Sequence, residues 1–253
     1  IPAVHHASLC QAEGASVLKS IVPDAEVGTT FSCSHVEPLR QREKDQKAAV
    51  RVDALLNRLF LEPSLGLGYP LEELKFMRRI EKYMHQGDEE LLRYDFDFIG
   101  IQNYTREVVK YSFWTPFMQA NLVPPKKRGV PQTLMNWEIY PEGIYHLLHK
   151  YSRYRDINKL IITENGAAFP DLLQEGKVHD PQRVDFLQRY LQQVLRARQE
   201  GARVHGYFVW SFVDNFEWAE GYDPRFGLVH VDFETQQRTV KSSGYWYRDF
   251  LKR

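Results

Sequence analysis

Acidic and aromatic residues collect in the sequence where two β-rich runs end. Glu164 directly follows the apolar run 159–163. A second run ends near Trp210, and Glu217 and Trp218 follow it closely. Carboxylates accept hydrogen bonds from hydroxyl groups, and flat indole faces pack against the C–H face of a sugar ring. If the fold brings these residues together, they predict a carbohydrate site.

A third run adds polar groups of the same kind. The run 96–104 ends in Gln102, Asn103 and Tyr104, which supply two amides and a phenol. Taken alone, Glu164 equally fits a helix cap or a turn. The neighbouring acids and indoles favour a site, because an ionised glutamate is rarely buried without a partner.

Four β-rich runs must position these side chains: 27–33, 96–104, 159–163 and 205–211. They are too short for helices and rich in β-branched or aromatic residues, which is typical of buried parallel strands. Helical patterns lie between or before them, at 3–21, 52–59, 144–151 and from the capping Asp180 with Pro181 to Gly201. This alternation predicts βαβ units and one parallel sheet, buried on both faces, with Phe208 and Phe212 in the core.

Composition excludes several classes of partner. The 253 residues carry 33 basic and 33 acidic side chains, so we expect neither nucleic-acid nor anionic-membrane binding, both of which need a cationic excess. We find no run long and apolar enough to span a membrane and no secretory signal. The cysteines Cys10 and Cys33 give no disulfide framework, which favours a reducing, cytoplasmic location. The basic stretch 124–128 is expected to be a solvated loop.

The sequence gives no reason to expect a bound metal or organic cofactor. It has no clustered His and Cys ligand spacing and no glycine-rich phosphate loop. We also find no second domain, so residues 1–253 are expected to belong to one domain.

Several longer motifs occur in order along the chain: 161–166 (IITENG), 206–222 (GYFVWSFVDNFEWAEGY), 225–227, 98–104, 136–143 and 243–247. Through them the chain resembles glycoside hydrolase family one, the β-glucosidase family, over essentially its whole length. The resemblance implies an α/β fold, a (β/α)8 TIM barrel. Only four strand–helix units fit in this chain, so it is expected to be the C-terminal portion, about strands five to eight of the barrel.

The resemblance also implies roles for individual residues. Glu164 matches the catalytic nucleophile that forms a covalent glycosyl-enzyme, and Tyr104 matches the tyrosine that hydrogen-bonds it. Trp210 matches the platform beneath the sugar. Glu217 and Trp218 match the pair that binds the outer hydroxyls of the sugar.

Three further residues are assigned to substrate binding: Trp137, Gln102 and Asn103. Trp137 matches the aromatic wall of the leaving-group subsite. Gln102 stands where many members of the family have asparagine. Members that act on phosphorylated sugars have a serine and a basic residue in place of Glu217, so Glu217 favours an unphosphorylated sugar.

The second catalytic carboxylate is not found in this sequence. The family acid/base belongs to an Asn-Glu-Pro motif, which these residues lack, and Glu138, Glu142 and Glu220 have no spacing that places them opposite Glu164. The resemblance therefore implies that the acid/base lies outside this chain. Alone, the chain is expected to be inactive or slow. Its open strand edges are expected to need the N-terminal half of the barrel or self-association.

These expectations converge on a retaining β-glucosidase. Its substrates would be small β-glucosides or cello-oligosaccharides, from which it removes terminal non-reducing β-D-glucosyl residues. Two alternatives stay open: a non-catalytic sugar-binding half-barrel, or pseudoenzyme, and a thioglucosidase-like member with glutamine in place of the acid.

Overall fold

A computed structural model describes residues 1–252. Its strands are β1 (Gly28–Ser32), β2 (His35–Pro38), β3 (Phe98–Gln102), β4 (Arg106–Tyr111), β5 (Ala120–Leu122), β6 (Leu160–Asn165), β7 (Leu173–Gln174), β8 (Lys177–Val178), β9 (Val204–Val209), β10 (Val229–Val231) and β11 (Arg238–Val240). Its α-helices are α1 (Pro2–Ile21), α2 (Glu43–Asp53), α3 (Leu61–Ser64), α4 (Asp88–Leu92), α5 (Pro125–Arg128), α6 (Glu142–Tyr151), α7 (Pro181–Gln199) and α8 (Ser242–Phe250). A π-helical turn spans Ala54–Arg58, and 3₁₀ segments span Lys75–Tyr83 and Trp218–Glu220.

The four predicted strands form one parallel sheet in the order β1-β3-β6-β9. Each strand follows the previous one through a helical connection, which is the arrangement that parallel pairing requires. Within residues 1–252, β1 pairs only with β3 and β9 only with β6, so this sheet does not close on itself. The carboxyl ends of all four strands lie at one edge.

The hydrophobic core lies between this sheet and the helices α6 and α7. Buried side chains on the helix side of the sheet include Ile99, Ile101, Leu160 and Ile162, and they pack with apolar residues of both helices. The stripe on α7 arises from apolar residues at helical spacing, as predicted, and the helix ends just before Gly201, which has a φ of +99°.

Within residues 1–252, helices bury only one of the two faces of the main sheet. Tyr207 and Val209 pack on the helix side, so alternation along β9 directs Phe208 to the opposite face, where it is 60% exposed. Phe212 lies beyond the end of β9 and is 74% exposed. Neither phenylalanine belongs to the hydrophobic core that residues 1–252 form.

Smaller sheets extend the connections beyond the strand ends. β2 pairs in parallel with β4, which pairs antiparallel with β5, while β7 with β8 and β10 with β11 form two short hairpins. None of these strands was predicted. They lengthen the loops that follow the main strands, where the candidate site residues lie.

Two local predictions need correction. The basic stretch 124–128 contains the short helix α5, and the guanidinium of Arg128 donates at 2.6 Å to the buried Glu138, so it is not simply a solvated loop. Asp180 is the residue before α7, but its side chain makes no cap hydrogen bond. Its carboxylate instead pairs with Arg183 and accepts from Ser243.

Neither cysteine forms a disulfide: Cys10 is exposed, and Cys33 is buried beside the Tyr151 hydroxyl. Burial raises the pKa of the Cys33 thiol to about 12, so it stays protonated. Among residues 1–252, no helix has the length and apolar character needed to cross a bilayer.

Candidate active site

Glu164 lies on β6 near the carboxyl end of the sheet, and both of its carboxylate oxygens accept a hydrogen bond. Gln102 Nε2 donates to Oε1 at 2.8 Å, and the Tyr104 hydroxyl donates to Oε2 at 2.5 Å. Both donors come from the end of the neighbouring strand β3. The structure therefore brings together three residues that the sequence assigned to one site.

A β-bulge determines the direction of Glu164. On β3, Ile101 is followed by Gln102; on β6, their pairing partners are Ile162 and Glu164, so Thr163 is an extra residue. Strict alternation would turn Glu164 toward the helices, as it does Ile162. With the bulge, Glu164 shares the opposite face with Gln102, where the strand ends open.

The donor character of Tyr104 follows from its surroundings. Burial and the hydrogen bond to Glu164 raise its pKa, and the charges of Glu164 and Glu217 raise it further. The phenol therefore keeps its proton and donates to the carboxylate.

An aromatic cluster surrounds Tyr104. Its ring centroid lies 5.1 Å from that of Trp137 and 6.2 Å from that of Phe226, and the Trp137 and Phe226 centroids are 6.1 Å apart. Trp137 is held at the end of a tight turn, where the Thr133 N–H donates to its carbonyl oxygen and Asn136 has a φ of +57°. Trp137, which is predicted to form the aromatic wall of the leaving-group subsite, therefore lies next to Tyr104, the residue that contacts Glu164.

Glu217 and Trp210 are joined across the loop that follows β9. The Trp210 indole N–H donates to Glu217 Oε1 at 3.2 Å. Burial raises the pKa of Glu217, hydrogen bonds from Trp210 and Asn215 oppose that change, and the negative charge of Glu164 adds to it. Glu217 therefore lies close enough to Glu164 to feel its charge.

Gly166 allows β6 and the end of β9 to approach closely. A Cβ atom on Gly166 would lie 1.7 Å from the carbonyl oxygen of Trp210. The Trp210 N–H also donates to the carbonyl of Asn165 at 2.9 Å. This backbone contact places the Trp210 indole beside the strand that carries Glu164.

Of the residues predicted to contact substrate, one is buried and another is largely exposed. Asn103 is buried, and its amide donates to the carbonyl oxygens of Cys33 and Thr105, so the side chain ties strand ends together instead of facing the opening. Trp218 is 81% exposed, outside the cluster around Tyr104.

Among the three other acids considered from the sequence, the ion pairs of Glu138 count against an acid/base role. Glu138 is buried, and its two oxygens pair with the guanidinium groups of Arg106 and Arg128, which lower its pKa although burial alone would raise it. Glu142 begins α6, and Glu220 is exposed in the segment Trp218–Glu220.

Phe226 and Asp214 are site-supporting residues that were not singled out from the sequence. Phe226 completes the aromatic cluster, and Asp214 is buried beside Lys241 and Arg225 just upstream of Glu217. Both lie inside motifs already noted at 206–222 and 225–227. Nothing in their residue type separates them from ordinary core or loop residues.

The described residues contain no group of three or more His, Cys, Asp or Glu side chains that could hold a metal ion. A cavity of about 820 Å³ lies between the loop 131–139 and the start of α7, and the strand-end carboxylates do not line it. Its lining includes Leu134, Phe169 and Arg189 and a single carboxylate, that of Asp185, whereas a retaining glycosidase needs two. Geometry and chemistry therefore locate the candidate site at the strand ends.

Comparison with curated proteins identifies close relatives. The chain is 41% identical over 251 residues to the 1,4-beta-D-glucan glucohydrolase of Thermotoga neapolitana, an alignment that covers 98% of this chain and 56% of the relative. It is 40% identical over 252 residues to the Beta-glucosidase A of Thermotoga maritima, covering 99% of this chain and 56% of that protein. The chain thus spans about half the length of these relatives.

A solved structure agrees with this comparison. The family 1 b-glucosidase from Thermotoga maritima superposes with a TM-score of 0.93 at 40% identity, over 99% of this chain and 56% of that one. The prediction of a partial (β/α)8 barrel is confirmed, since the open parallel sheet matches part of a larger enzyme fold. The family model for Glycosyl hydrolase family 1 matches residues 1–253. The chain therefore belongs to glycosyl hydrolase family 1.

Proposed function

We propose that this chain supplies the nucleophile side of the active site of a retaining β-glucosidase. The observation that carries the proposal is the Glu164 carboxylate, aimed by a bulge to the strand-end opening and held by Gln102 and Tyr104. Relatives named as beta-glucosidases and glucan glucohydrolases support the substrate class. Residues 1–253 would form the C-terminal part of one barrel domain.

The first chemical step is nucleophilic attack. A Glu164 oxygen forms a bond to the anomeric carbon of a β-glucoside while the bond to the glycosidic oxygen breaks, which inverts that carbon and leaves an α-linked glycosyl-enzyme. The leaving oxygen takes a proton from a general acid. Gln102 and Tyr104 fix the carboxylate in the direction of attack, which lowers the entropic part of the barrier.

The second step releases the sugar. Water loses a proton to the same acid/base residue, attacks the anomeric carbon and displaces Glu164, so the β configuration is retained. Retaining enzymes keep the two carboxyl groups about 5–5.5 Å apart. We assign the acid/base to a residue outside these 253, because Glu138 is committed to two arginines.

Sugar recognition is assigned to the loop after β9 and to Trp137. Trp210 offers an indole face to the apolar side of the glucose ring, while Glu217 and the exposed Trp218 reach its outer hydroxyls. Trp137 would contact the leaving group. In the complete barrel, meaning this chain together with the part that supplies the other strands, these groups would surround one terminal glucosyl residue.

Covalent labelling tests the proposal directly. A fluorinated glucoside with a dinitrophenol leaving group reacts without help from a general acid, and its glycosyl-enzyme accumulates. In the complete barrel we expect one label per chain, mapped to the peptide that contains Glu164. Glu164→Gln should abolish labelling, while the matched variant Glu142→Gln, at the start of α6, should label like the parent.

The same experiment separates the proposal from a sugar-binding pseudoenzyme. A binding protein would bind glucose, seen by titration calorimetry, without becoming labelled. Sugar binding without a label on Glu164 would overturn the catalytic proposal.

A further inference from the structure

Asn165 follows the bulged residues and is fully buried between two strands. Its Nδ2 donates to the carbonyl oxygen of Asn103 at 2.7 Å, on the β3 side. Its Oδ1 accepts from the Tyr207 hydroxyl at 2.6 Å, on the β9 side. Its own carbonyl accepts from the Trp210 N–H at 2.9 Å. One side chain thus spans the sheet immediately after Glu164.

This position requires a group that donates on one side and accepts on the other. The Asn103 carbonyl can only accept, so the atom facing it must carry a proton. Burial raises the pKa of Tyr207, so its phenol stays protonated and donates. A neutral amide satisfies both partners, whereas an ionised carboxylate would place an acceptor against the Asn103 carbonyl.

Regular backbone pairing does not fix the position of residues 162–165 in β6. The extra residue Thr163 breaks the register with β3, and the same segment loses register with β9 between Ile162 and Asn165. Backbone pairing resumes at Asn165, which lies opposite Val209. The bulge is therefore bounded on its carboxyl side by the residue whose side chain bridges both neighbours.

The bridge continues to the first strand of the sheet. The Asn103 amide donates to the Cys33 carbonyl at 2.9 Å, and the Asn103 N–H donates to the carbonyl of Glu164 at 2.9 Å. Amide side chains thus connect the ends of all four main strands, from Cys33 to Tyr207. A shift of Asn165 would be transmitted to the backbone of Glu164.

We propose that Asn165 is a positioning residue that locks the bulge and thereby aims Glu164 at the anomeric carbon. The inference rests on the proposed function, since it concerns how that nucleophile is held. It assigns to Asn165 no contact with the sugar.

The test uses Asn165→Asp in the complete barrel, with labelling by the fluorinated dinitrophenyl glucoside as the readout. A protonated Asp has nearly the shape of Asn, since its O–H can donate to Asn103 and its other oxygen can accept from Tyr207. Once ionised, it loses that donor. We expect the ratio of variant to parent labelling rate to be near one at low pH. As the new carboxyl ionises, the ratio should fall by about 10–100-fold, the scale of a misplaced reacting group.

Dividing the variant rate by the parent rate at each pH cancels the titration of groups that both proteins contain. If the parent is not labelled on Glu164, the proposed function fails. If the parent is labelled and the ratio stays constant across the pH range in which carboxyl infrared absorption shows the new acid to ionise, the proposed function stands and the role of Asn165 is refuted.

A second variant carries the test if Asn165→Asp does not fold or its new carboxyl stays protonated at every pH used. Tyr207→Phe removes only the hydroxyl that donates to Asn165, and we expect a labelling rate constant about 3–10-fold lower, roughly the loss of one neutral hydrogen bond. The concentration of reagent for half-maximal rate should not change, because sugar binding is untouched. The matched control is Tyr247→Phe, whose half-buried hydroxyl donates at 3.4 Å to the Tyr207 carbonyl and not to Asn165. Equal rate constants for both variants would overturn the proposal.

Discussion

At the scale of single residues, neutral hydrogen-bond donors hold the carboxylate of Glu164 in the candidate site. Tyr104 and Gln102 hold the oxygens of Glu164, and burial keeps the Tyr104 phenol protonated. Both donors that the described residues supply to Glu164 are neutral, so they orient its carboxylate without adding a positive charge. This arrangement suits the nucleophilic role proposed for Glu164, which requires a carboxylate that is held firmly and can still react.

Gly166 offers a residue-scale prediction. In Gly166→Ala, the new Cβ would lie 1.7 Å from the Trp210 carbonyl oxygen, a backbone atom that a side-chain rotation cannot move. We expect the free energy of unfolding of the complete barrel to fall by about 3 kcal/mol or more, because overpacking forces the backbone to shift. Urea unfolding followed by tryptophan fluorescence measures the change.

The matched control is Gly14→Ala in α1, where a Cβ would meet no atom within 4 Å. That substitution should be neutral or stabilising by about 0.5–1 kcal/mol, since alanine favours helix. Equal unfolding midpoints for the two variants would show that β6 and the end of β9 are not held together through Gly166.

At the scale of elements, a buried ion network joins the loops that support the site. Its members are Asp171, Asp180, Arg183, Asp214, Arg225 and Lys241. They connect the loop after β6, the start of α7, the segment between β9 and β10, and the start of α8. Three acids and three bases balance, which allows charges to remain in the interior.

Lys241 is the centre of this network and provides the next prediction. Its ammonium contacts Asp171 Oδ2 at 2.5 Å and Asp214 Oδ1 at 2.7 Å, although burial lowers its pKa. Lys241→Met leaves two buried carboxylates short of a cation, so we expect the free energy of unfolding to fall by about 3–5 kcal/mol. The control Lys47→Met breaks only the exposed pair with Glu43 and should leave the unfolding midpoint unchanged. Similar midpoints for both variants would contradict a structural role for the network.

The sequence predicts elements better than it predicts the direction of their side chains. Hydrophobic runs mark the four main strands within a few residues, because burial on the helix side requires apolar residues there. The bulge at Thr163 leaves no signal in residue type, so the direction of Glu164 follows from the resemblance and not from alternation. Residue type alone does not say which face of the sheet the helices cover, so the sequence could not show that Phe208 lies on the opposite face.

The buried role of Asn103 was also invisible to the sequence. Asparagine beside Tyr104 fits sugar binding by type, whereas the structure uses its amide for the carbonyl oxygens of Cys33 and Thr105. Amides serve both purposes equally well, and only the packing of the strand ends decides between them.

At the scale of the whole molecule, the sheet has two unlike faces. Helices cover one face, while the other carries Phe208 and a direct hydrogen bond between the hydroxyls of Thr30 and Thr163, 2.6 Å apart. That bond passes over β3 at Gly100. A Cβ atom on Gly100 would lie 2.7–2.8 Å from side-chain atoms of both threonines. In a closed barrel this face fills the interior with packed side chains.

The open face and edges lead to a prediction for the 253-residue chain alone. β1 and β9 each present an edge without a partner in residues 1–252, and unpaired edges beside exposed apolar groups favour association. We expect size-exclusion chromatography with light scattering to give masses above the 29.8 kDa of one chain, rising with concentration.

Phe208→Asp should weaken this association, because it places a charge on the open face. Phe113→Asp, at an exposed phenylalanine outside the sheet, is the matched control and should leave association intact. A single-chain mass at all concentrations, or dissociation by the Phe113 variant alone, would show that the sheet face does not drive association.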